Sequence, residues 1–341
     1  MPLLIVIIAD DLTGALDAAA PFAGIPGGVA VATKPEAVTD CPAGASVLSV
    51  STRSRDIPPQ EAAGRVHAVL SALPAGVALF KKVDSRLKGN LAAELAPLPG
   101  PLLVAPALPE FGRVVRGGAV HGFGVAKPIA VRDRLGPEAH RATIPDVETA
   151  EEMDHALSQA DPHATLVGSR GLAAALARRI GLVPQALAAT LPAPAVMIVG
   201  STDAITLGQV SALKAACPDL RHVEAPSGDV PAPQDTPRLT LVQSTPGPER
   251  PAQEVARHLA EGALPWIVPA RGVLCTGGAT AEALFDAMGL TLLTLSGEVL
   301  PGLPVATANG RVIVTKSGGF GERDCLMQLV QTNAAAPRSR A

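Results

Sequence analysis

The chain has 341 residues, a length that corresponds to roughly two domains. Hydrophobic residues make up 48% and charged residues 17%, which gives enough apolar material for sizeable cores and too little charge for a disordered chain. Aromatic residues account for only 2%, there is no Tyr, and the net charge is −3. These values exclude a stacking platform for single-stranded nucleic acid, a basic face for duplexes and a catalytic tyrosine.

Short apolar runs alternate with alanine-rich helical stretches along the chain. The predicted strands are 3–9, 28–33, 46–50, 77–83, 101–105, 164–168, 195–200, 239–242, 272–276 and 312–315. The predicted helices are 13–21, 58–73, 147–160, 171–180, 204–216, 251–261 and 280–288, and Asp146 is expected to cap the third of them. Because many strands are apolar on consecutive positions, we predict an α/β fold of two domains with mostly parallel sheets flanked by helices.

The domain boundary is expected in a stretch that is uncharged and rich in proline. It serves as a connection over 182–194, between a domain at 1–181 and a second domain at 195–331. The last segment, 332–341, is small, polar and basic, and we expect it to be frayed.

The N-terminal apolar run lacks a basic region and continues directly into acidic residues, which is typical of a buried strand rather than a signal peptide. The longest uncharged stretch, 180–202, is interrupted by three prolines, so it does not predict a membrane span. The four cysteines are far apart and form no Cys-x-x-Cys pair. We therefore expect a cytoplasmic enzyme of small metabolites.

Two adjacent carboxylates, Asp10 and Asp11, follow the first strand, and Thr13 and Gly14 open the next helix. Ligands of open α/β sheets bind outside the carboxyl ends of strands. Such a pair can bind Mg²⁺ or accept a proton from a hydroxyl, although one aspartate alone is explained as a helix cap. An aspartyl-nucleophile phosphatase would require the sequence Asp-x-Asp-x-Thr. It is excluded because Ala9 stands where the first aspartate of that sequence would be, two positions before Asp11.

Polar clusters also follow the third, fourth and fifth strands. Residues 51–56 contain two arginines and three hydroxyls, and residues 81–90 place Lys82 and Asp84 on one face of a strand. Taken alone, each cluster is better explained as a solvated polar loop, but three clusters after successive strands count against that explanation. Arginine binds carboxylates through two parallel hydrogen bonds, so the clusters suit a carboxylate or polyol ligand. The residues expected to contact this ligand are Thr13, Gly14, Ser51, Arg53, Lys82, Ser85, Asn90, Arg113 and, in a supporting role, His121.

Three glycine-rich turns follow strands in the second half, at Gly200-Ser201, 276–280 and 316–321. Glycine lets backbone N–H groups approach a phosphate closely, and a helix N-terminus adds a positive dipole. The turns together predict a nucleotide site. The chain has no Gly-x₄-Gly-Lys-Ser/Thr sequence, and no Gly-x-Gly-x-x-Gly opens the first helix of either half, so P-loop and dinucleotide folds are disfavoured.

Taken in order, these motifs resemble the four-carbon acid sugar kinase family over nearly the whole chain. The resemblance is carried by 9–17, 51–55, 82–90, 106–113, 168–173, Gly200-Ser201, 276–280, Gly297-Glu298, Pro301-Gly302 and 316–321. It implies an N-terminal domain that binds the acid sugar and a C-terminal domain that binds ATP. The nucleotide contacts that it implies are Ser201, Gly277, Gly278, Ala279, Thr280, Gly318 and Gly319.

The chain departs from the family pattern in its first half. The segment after His121 is compressed to 122–134, Arg86 stands where the family has Thr, and Lys88 stands where it has Arg. These differences concern the substrate more than the reaction.

The leading hypothesis is a kinase that uses ATP and Mg²⁺ across an interdomain cleft and phosphorylates the terminal hydroxyl of threonate, erythronate or a 3-oxo-tetronate. Asp10, Asp11 or Asp84 would orient or deprotonate the attacking hydroxyl or hold the metal, whose ligand set is left unassigned. The expected partners are the acid sugar and ATP, with no nucleic acid and no membrane, and a homodimer stays open. A kinase of another small hydroxy acid and a non-catalytic sensor of acid sugar or nucleotide are the alternatives.

Overall fold

The computed structural model describes residues 3–183, 187 and 191–331. The chain divides into two compact units, Met1–Pro184 and Gln185–Ala341. This division falls within the stretch that the sequence indicates as a connection. Residues 184–186 and 188–190 of that stretch, and the terminal segment 332–341, lie outside the described residues.

The first unit is built on a parallel sheet of seven strands in the order β2-β3-β1-β4-β10-β5-β9, beside a small antiparallel sheet of β6, β7 and β8. The strands are β1 (Ile5–Ala9), β2 (Val29–Ala32), β3 (Val47–Ser51), β4 (Ala78–Lys82), β5 (Leu102–Ala105), β6 (Arg113–Arg116), β7 (Ala119–Gly122), β8 (Ile129–Ala130), β9 (Ala142–Thr143) and β10 (Thr165–Gly168). The helices are α1 (Leu12–Ala19), α2 (Pro59–Ser71), α3 (Leu91–Leu95), α4 (Val131–Leu135), α5 (Ala150–Ser158) and α6 (Arg170–Arg179).

The second unit also has seven strands, in the order β12-β13-β11-β14-β17-β16-β15. Its strands are β11 (Ala195–Val199), β12 (Arg221–Pro226), β13 (Leu239–Thr245), β14 (Gly272–Thr276), β15 (Leu292–Leu300), β16 (Leu303–Ala308) and β17 (Arg311–Lys316). Its helices are α7 (Ala204–Ala216), α8 (Ala252–Ile267), α9 (Gly278–Ala287) and α10 (Cys325–Gln331). The pairing is parallel from β12 to β17, and β16 and β15 continue the sheet in antiparallel pairing.

The mostly parallel α/β architecture is confirmed, and the ten predicted strands and seven predicted helices are all present. Every residue of β1, β3, β11 and β14 is buried, because helices cover both faces of these central strands. The antiparallel strands β15 and β16 and the small sheet were not predicted. Among the described helices, none is long and apolar enough to span a membrane.

The prediction that Asp146 caps α5 was wrong. The helix begins three residues later, where Thr149 and Glu152 form a capping box that satisfies the first backbone N–H groups. The Asp146 carboxylate instead accepts hydrogen bonds from the backbone N–H groups of Gly117 and Gly118, at 2.7 and 2.9 Å.

The sheet order decides which loops can form a site. In the first unit β3, β1 and β4 are adjacent and parallel, so the loops after their carboxyl ends share one edge. In the second unit β11, β14 and β17 are likewise adjacent and parallel. The polar clusters and glycine turns found in the sequence follow these six strands.

Candidate functional site

Arg55 joins the two carboxylates that follow β1. Its Nε and Nη2 atoms each donate to one oxygen of Asp10 at 2.8 Å, and its Nη1 atom donates to Oδ2 of Asp11 at 2.7 Å. Burial alone would raise the pKa of Asp10, but the charge and hydrogen bonds of Arg55 dominate, and the pKa lies below its usual value. Asp10 is therefore held as a charged carboxylate.

Asp11 is also the N-cap of α1. Its Oδ1 accepts from the backbone N–H of Gly14 at 2.8 Å, and its Oδ2 accepts from the hydroxyl of Thr13 at 2.9 Å. A Cβ atom at position 14 would collide with this Oδ1 and would lie 3.1 Å from Nζ of Lys82. Thr13 and Gly14 thus orient the carboxylate, and glycine is needed because of the close approach.

Lys82 is a buried cation at the end of β4, with 5% of its surface exposed. No described residue accepts a hydrogen bond from its Nζ atom. A partly exposed carboxylate, Asp17 on α1, lies nearby; burial raises its pKa, and the charges of Lys82 and Arg170 oppose this rise. The Lys82 ammonium is therefore available to an anionic or hydroxyl-bearing ligand.

A buried network supports the loop that carries Arg55. Nζ of Lys81 lies 3.1 Å from Oε2 of Glu94, and the hydroxyl of Ser54 donates to the other oxygen of this carboxylate. The side-chain N–H group of Asn90 donates to the carbonyls of Ser54 and Ile57, both at 2.8 Å. Asn90, expected to contact substrate, thus uses its amide nitrogen to hold this loop.

Ser51, the last residue of β3, and Arg53, just after it, were both expected to contact the substrate. Arg53, with a left-handed φ of 49°, donates from Nε to the backbone carbonyl of Thr33 at 2.8 Å. Ser51 is fully buried, and its hydroxyl has no hydrogen-bond partner among the described residues. The structure places Arg55, not Arg53, on the aspartate pair.

Asp84 follows β4 and keeps one oxygen unengaged. Its Oδ1 accepts from the backbone N–H of Arg86 at 2.8 Å, and no described residue donates to its Oδ2. Beside it, Arg113 donates to the hydroxyl of Ser85 and, from Nε and Nη2, to the carbonyl of Phe123 at 3.0 and 2.8 Å. Asp84, Ser85 and Arg113 are therefore brought together.

His121 is not brought to this cluster. The register of β6 and β7 pairs Arg113 with Gly122, so His121 and Arg113 lie on opposite faces of the small sheet. The imidazole instead interacts electrostatically with the carboxylates of Asp146 and Glu148. The contact of His121 with the substrate therefore stays a prediction.

The three glycine turns of the second unit meet at one edge of its sheet. A Cβ atom on Gly200 would collide with the hydroxyl of Thr280, and one on Gly318 would lie 2.5 Å from Oγ of Ser201. The neighbouring Gly277 has a left-handed φ of 93°. Glycine is required at positions 200 and 318 because the turns approach each other more closely than a side chain allows, and at position 277 because of the left-handed backbone.

The helix that starts at this edge has an open N-terminus. Gly277 precedes α9 without a side-chain cap, and its own N–H donates to the carbonyl of Lys316 at 2.9 Å. The N–H groups of Gly278, Ala279 and Thr280 have no acceptor within the helix. Together with the helix dipole, they suit the oxygens of a phosphate.

Lys316 at the end of β17 is a buried charge that is not among the residues expected to contact the nucleotide. Its ammonium donates to the carbonyls of Ser317 and Gly318 at 2.9 and 3.1 Å and to the hydroxyl of Thr206 at 3.2 Å. Burial lowers the pKa of Lys316 to about 8. Next to it, Gln209 donates to three consecutive carbonyls, so α7 anchors the third turn.

The described residues contain no group of three or more His, Cys, Asp or Glu that could hold a metal ion by themselves. The carboxylate at the glycine turns is Asp203, the N-cap of α7, and a Cβ atom on Gly319 would lie 3.2 Å from its Oδ2. One carboxylate fits a Mg²⁺ ion that arrives with nucleotide phosphates and keeps several waters.

Sequence comparisons agree with a sugar site in the first unit and a nucleotide site in the second. A family model described as a sugar-binding N-terminal domain matches residues 5–137, and one described as a nucleotide-binding C-terminal domain matches residues 196–326. A D-threonate kinase of Cupriavidus necator is 32% identical and covers 97% of this chain and 99% of its own. A 3-oxo-tetronate kinase of Methylobacterium radiotolerans is 28% identical, with 95% and 98% covered.

Solved structures share the fold. A proposed tRNA synthase from Salmonella typhimurium LT2 is 19% identical and covers 96% of this chain and 98% of its own, with a TM-score of 0.72. A Haemophilus influenzae protein is 18% identical and covers 97% and 99%, with a TM-score of 0.66. At these identities the likeness concerns the fold alone. The full-length relatives and the two domain matches show that the chain belongs to the family of four-carbon acid sugar kinases.

Proposed function

We propose that the protein is an ATP-dependent kinase that phosphorylates the terminal hydroxyl of a four-carbon acid sugar: threonate, erythronate or a 3-oxo-tetronate. The observation that carries the proposal is the arrangement of the two sheet edges. One edge collects carboxylates and cations suited to a small hydroxy acid, and the other collects three glycine turns and an open helix N-terminus suited to phosphates. Relatives named D-threonate kinase and 3-oxo-tetronate kinase support the same reaction.

Asp84 is the residue that best fits the acceptor of the hydroxyl proton. Asp10 and Asp11 are both engaged by Arg55, whereas Oδ2 of Asp84 has no described donor. A carboxylate within hydrogen-bond reach of a hydroxyl can orient it and accept its proton as the new bond forms. In this proposal Asp10 and Asp11 keep the loop of Arg55 in place, and Lys82 supplies positive charge beside the acid sugar.

The nucleotide phosphates would bind at Ser201, at the turn 277–280 and at Gly318 and Gly319. A Mg²⁺ ion, held by the phosphates with Asp203 nearby, would neutralise phosphate charge. Phosphoryl transfer requires the attacking hydroxyl to lie in line with the γ-phosphate. The proposal therefore requires the attacking hydroxyl of the acid sugar and the γ-phosphate of ATP to meet in the reacting complex.

The proposal is tested by ADP release, measured with D- and L-threonate, D- and L-erythronate and the 3-oxo-tetronates as acceptors. We expect turnover with at least one of these acceptors. Asp84→Asn should lower kcat by about 10²-fold or more. Asp133→Asn, which changes an exposed aspartate of the same unit, should leave kcat unchanged. If calorimetry shows that ATP binds but no ADP is released with any of the acids, the result would contradict the kinase and favour the sensor. Turnover only with another hydroxy acid would favour the second alternative.

The cytoplasmic location and the homodimer stay predictions of the same proposal. Light scattering of the purified full-length chain tests the second of these.

A further inference from the structure

Arg113 is a buried guanidinium that uses only part of its hydrogen-bonding capacity. It is 4% exposed, and three of its five N–H groups donate to the Phe123 carbonyl and the Ser85 hydroxyl. Burial lowers the pKa of Arg113, the neighbouring charge of Arg86 lowers it further, and Asp84 opposes both effects. A guanidinium in this position is held rigidly and carries charge that its neighbours compensate only in part.

Arg86 lies next to Arg113. It is half-buried, and no described residue forms a hydrogen bond or ion pair with its side chain. A Cβ atom on Gly124 would lie 3.2 Å from Nη2 of Arg113 and 3.8 Å from Nη1 of Arg86. The two nitrogens are therefore at most about 7 Å apart, and two like charges at that distance repel each other.

We propose that Arg86 and Arg113 form an anion-binding subsite, next to Gly124, that binds the carboxylate of the substrate. An oxygen-bearing anion between the two guanidiniums would relieve their repulsion and would satisfy N–H groups that the described protein leaves open. The absence of a side chain at Gly124 keeps this approach clear. The inference rests on the proposed function for the identity of the acid that supplies the carboxylate.

The position of the subsite fits a short hydroxy acid. Asp84 interacts electrostatically with both Arg113 and Arg55. A carboxylate bound by the arginine pair would therefore leave the hydroxyls of the same molecule to reach Asp84. Arg53, which the sequence suggested for this role, donates its Nε to a backbone carbonyl instead.

The first experiment detects ligand binding at the subsite and does not depend on turnover. Phenylglyoxal modifies accessible guanidinium groups, and peptide mass spectrometry gives the modification rate of Arg86 in the full chain. D-threonate, L-threonate or D-erythronate should slow this rate several-fold, whereas threitol, which has the same carbon chain without the carboxylate, should not. The rate at Arg134, an exposed arginine of the same unit, should not respond to any of them.

Variants give the second measurement. Arg86→Gln should raise KM for the acid sugar by roughly tenfold or more with kcat nearly unchanged, because a charge-assisted hydrogen bond to the ground-state carboxylate is lost. Arg86→Lys should recover only part of the loss, since lysine keeps the charge but not the planar fork. Arg134→Gln is the matched control and should leave KM unchanged.

The outcomes separate the inference from the proposed function. ADP release with an unchanged KM in Arg86→Gln would overturn the subsite and leave the kinase intact. If no ADP is released with any of the acids, the proposed kinase activity is overturned. Protection of Arg86 by the acids but not by threitol would in that case still support the subsite. Protection by none of the acids, or by inorganic phosphate alone, would overturn the carboxylate assignment.

Discussion

Replacing Arg55 with alanine tests whether the aspartate pair depends on this one guanidinium. The change removes three charge-assisted hydrogen bonds and leaves Asp10, which is 2% exposed, without its bidentate partner. Removing one partner of a buried ion pair costs about 3–5 kcal/mol, because the remaining charge is left uncompensated. We therefore expect the free energy of opening of the first unit to fall by that order.

The assay is hydrogen exchange by mass spectrometry on the full chain, following peptides from β1, β3 and β4. Arg116→Ala is the matched control, because this arginine of the same unit forms an exposed pair with Glu148. The control should leave the exchange of these peptides unchanged. Equal protection of the three strands in wild type and Arg55→Ala would refute the reasoning.

The effect should also depend on pH, with a sign that follows from Asp10. In the wild type its pKa is lowered, so its stabilising contribution is present above the unfolded pKa, about 3.9, and is lost as pH falls through the folded value. Without Arg55 the remaining main effect is burial, which raises the pKa; the folded state then binds the proton more tightly, and stability falls as pH rises. The decrease in the free energy of opening caused by Arg55→Ala should therefore be smaller at pH 5 than at pH 7.5. Adding Asp10→Asn to the Arg55→Ala chain should restore part of this free energy. An equal loss at both pH values would contradict this account.

Three further predictions concern single positions. Gly200→Ala should weaken ATP binding by about tenfold or more in calorimetry, because the added Cβ displaces Thr280, whereas Gly208→Ala, with no atom within 4 Å of the new Cβ, should bind ATP normally. The pKa of Lys316 is about 8 in the folded protein and 10.5 in the unfolded chain. Because the unfolded chain binds this proton more tightly, the free energy of unfolding should rise between pH 8 and pH 10.5, by about 3 kcal/mol in total. Lys316→Met should remove this rise from the pH dependence of denaturant unfolding, and identical slopes in both proteins would refute the assignment. Lys82→Met should raise KM for the acid sugar without lowering the denaturant midpoint, and a lower midpoint with unchanged KM would show a structural role instead.

The local pattern of the chain was sufficient to predict ten of the strands, seven of the helices and the sheet edges where polar side chains collect. β1 and β3 are apolar at nearly every position because helices cover both of their faces, and this is visible in the sequence. The polar clusters of the first unit and the three glycine-rich turns of the second could be found because each lies within a few residues of a strand end. Elements whose pattern is weaker, such as β15 and β16, were missed.

The partners of individual side chains were decided only by the tertiary structure. Arg53 and Arg55 are equivalent in the sequence, yet only Arg55 reaches Asp10, which is 45 residues away along the chain. Lys81 and Lys82 are neighbours, but alternation along β4 sends the first to Glu94 and leaves the second facing the α1 N-terminus. Local sequence determines the type of element and its periodicity, whereas the packing of distant strands determines which charge meets which, and therefore which of several similar residues carries the chemistry.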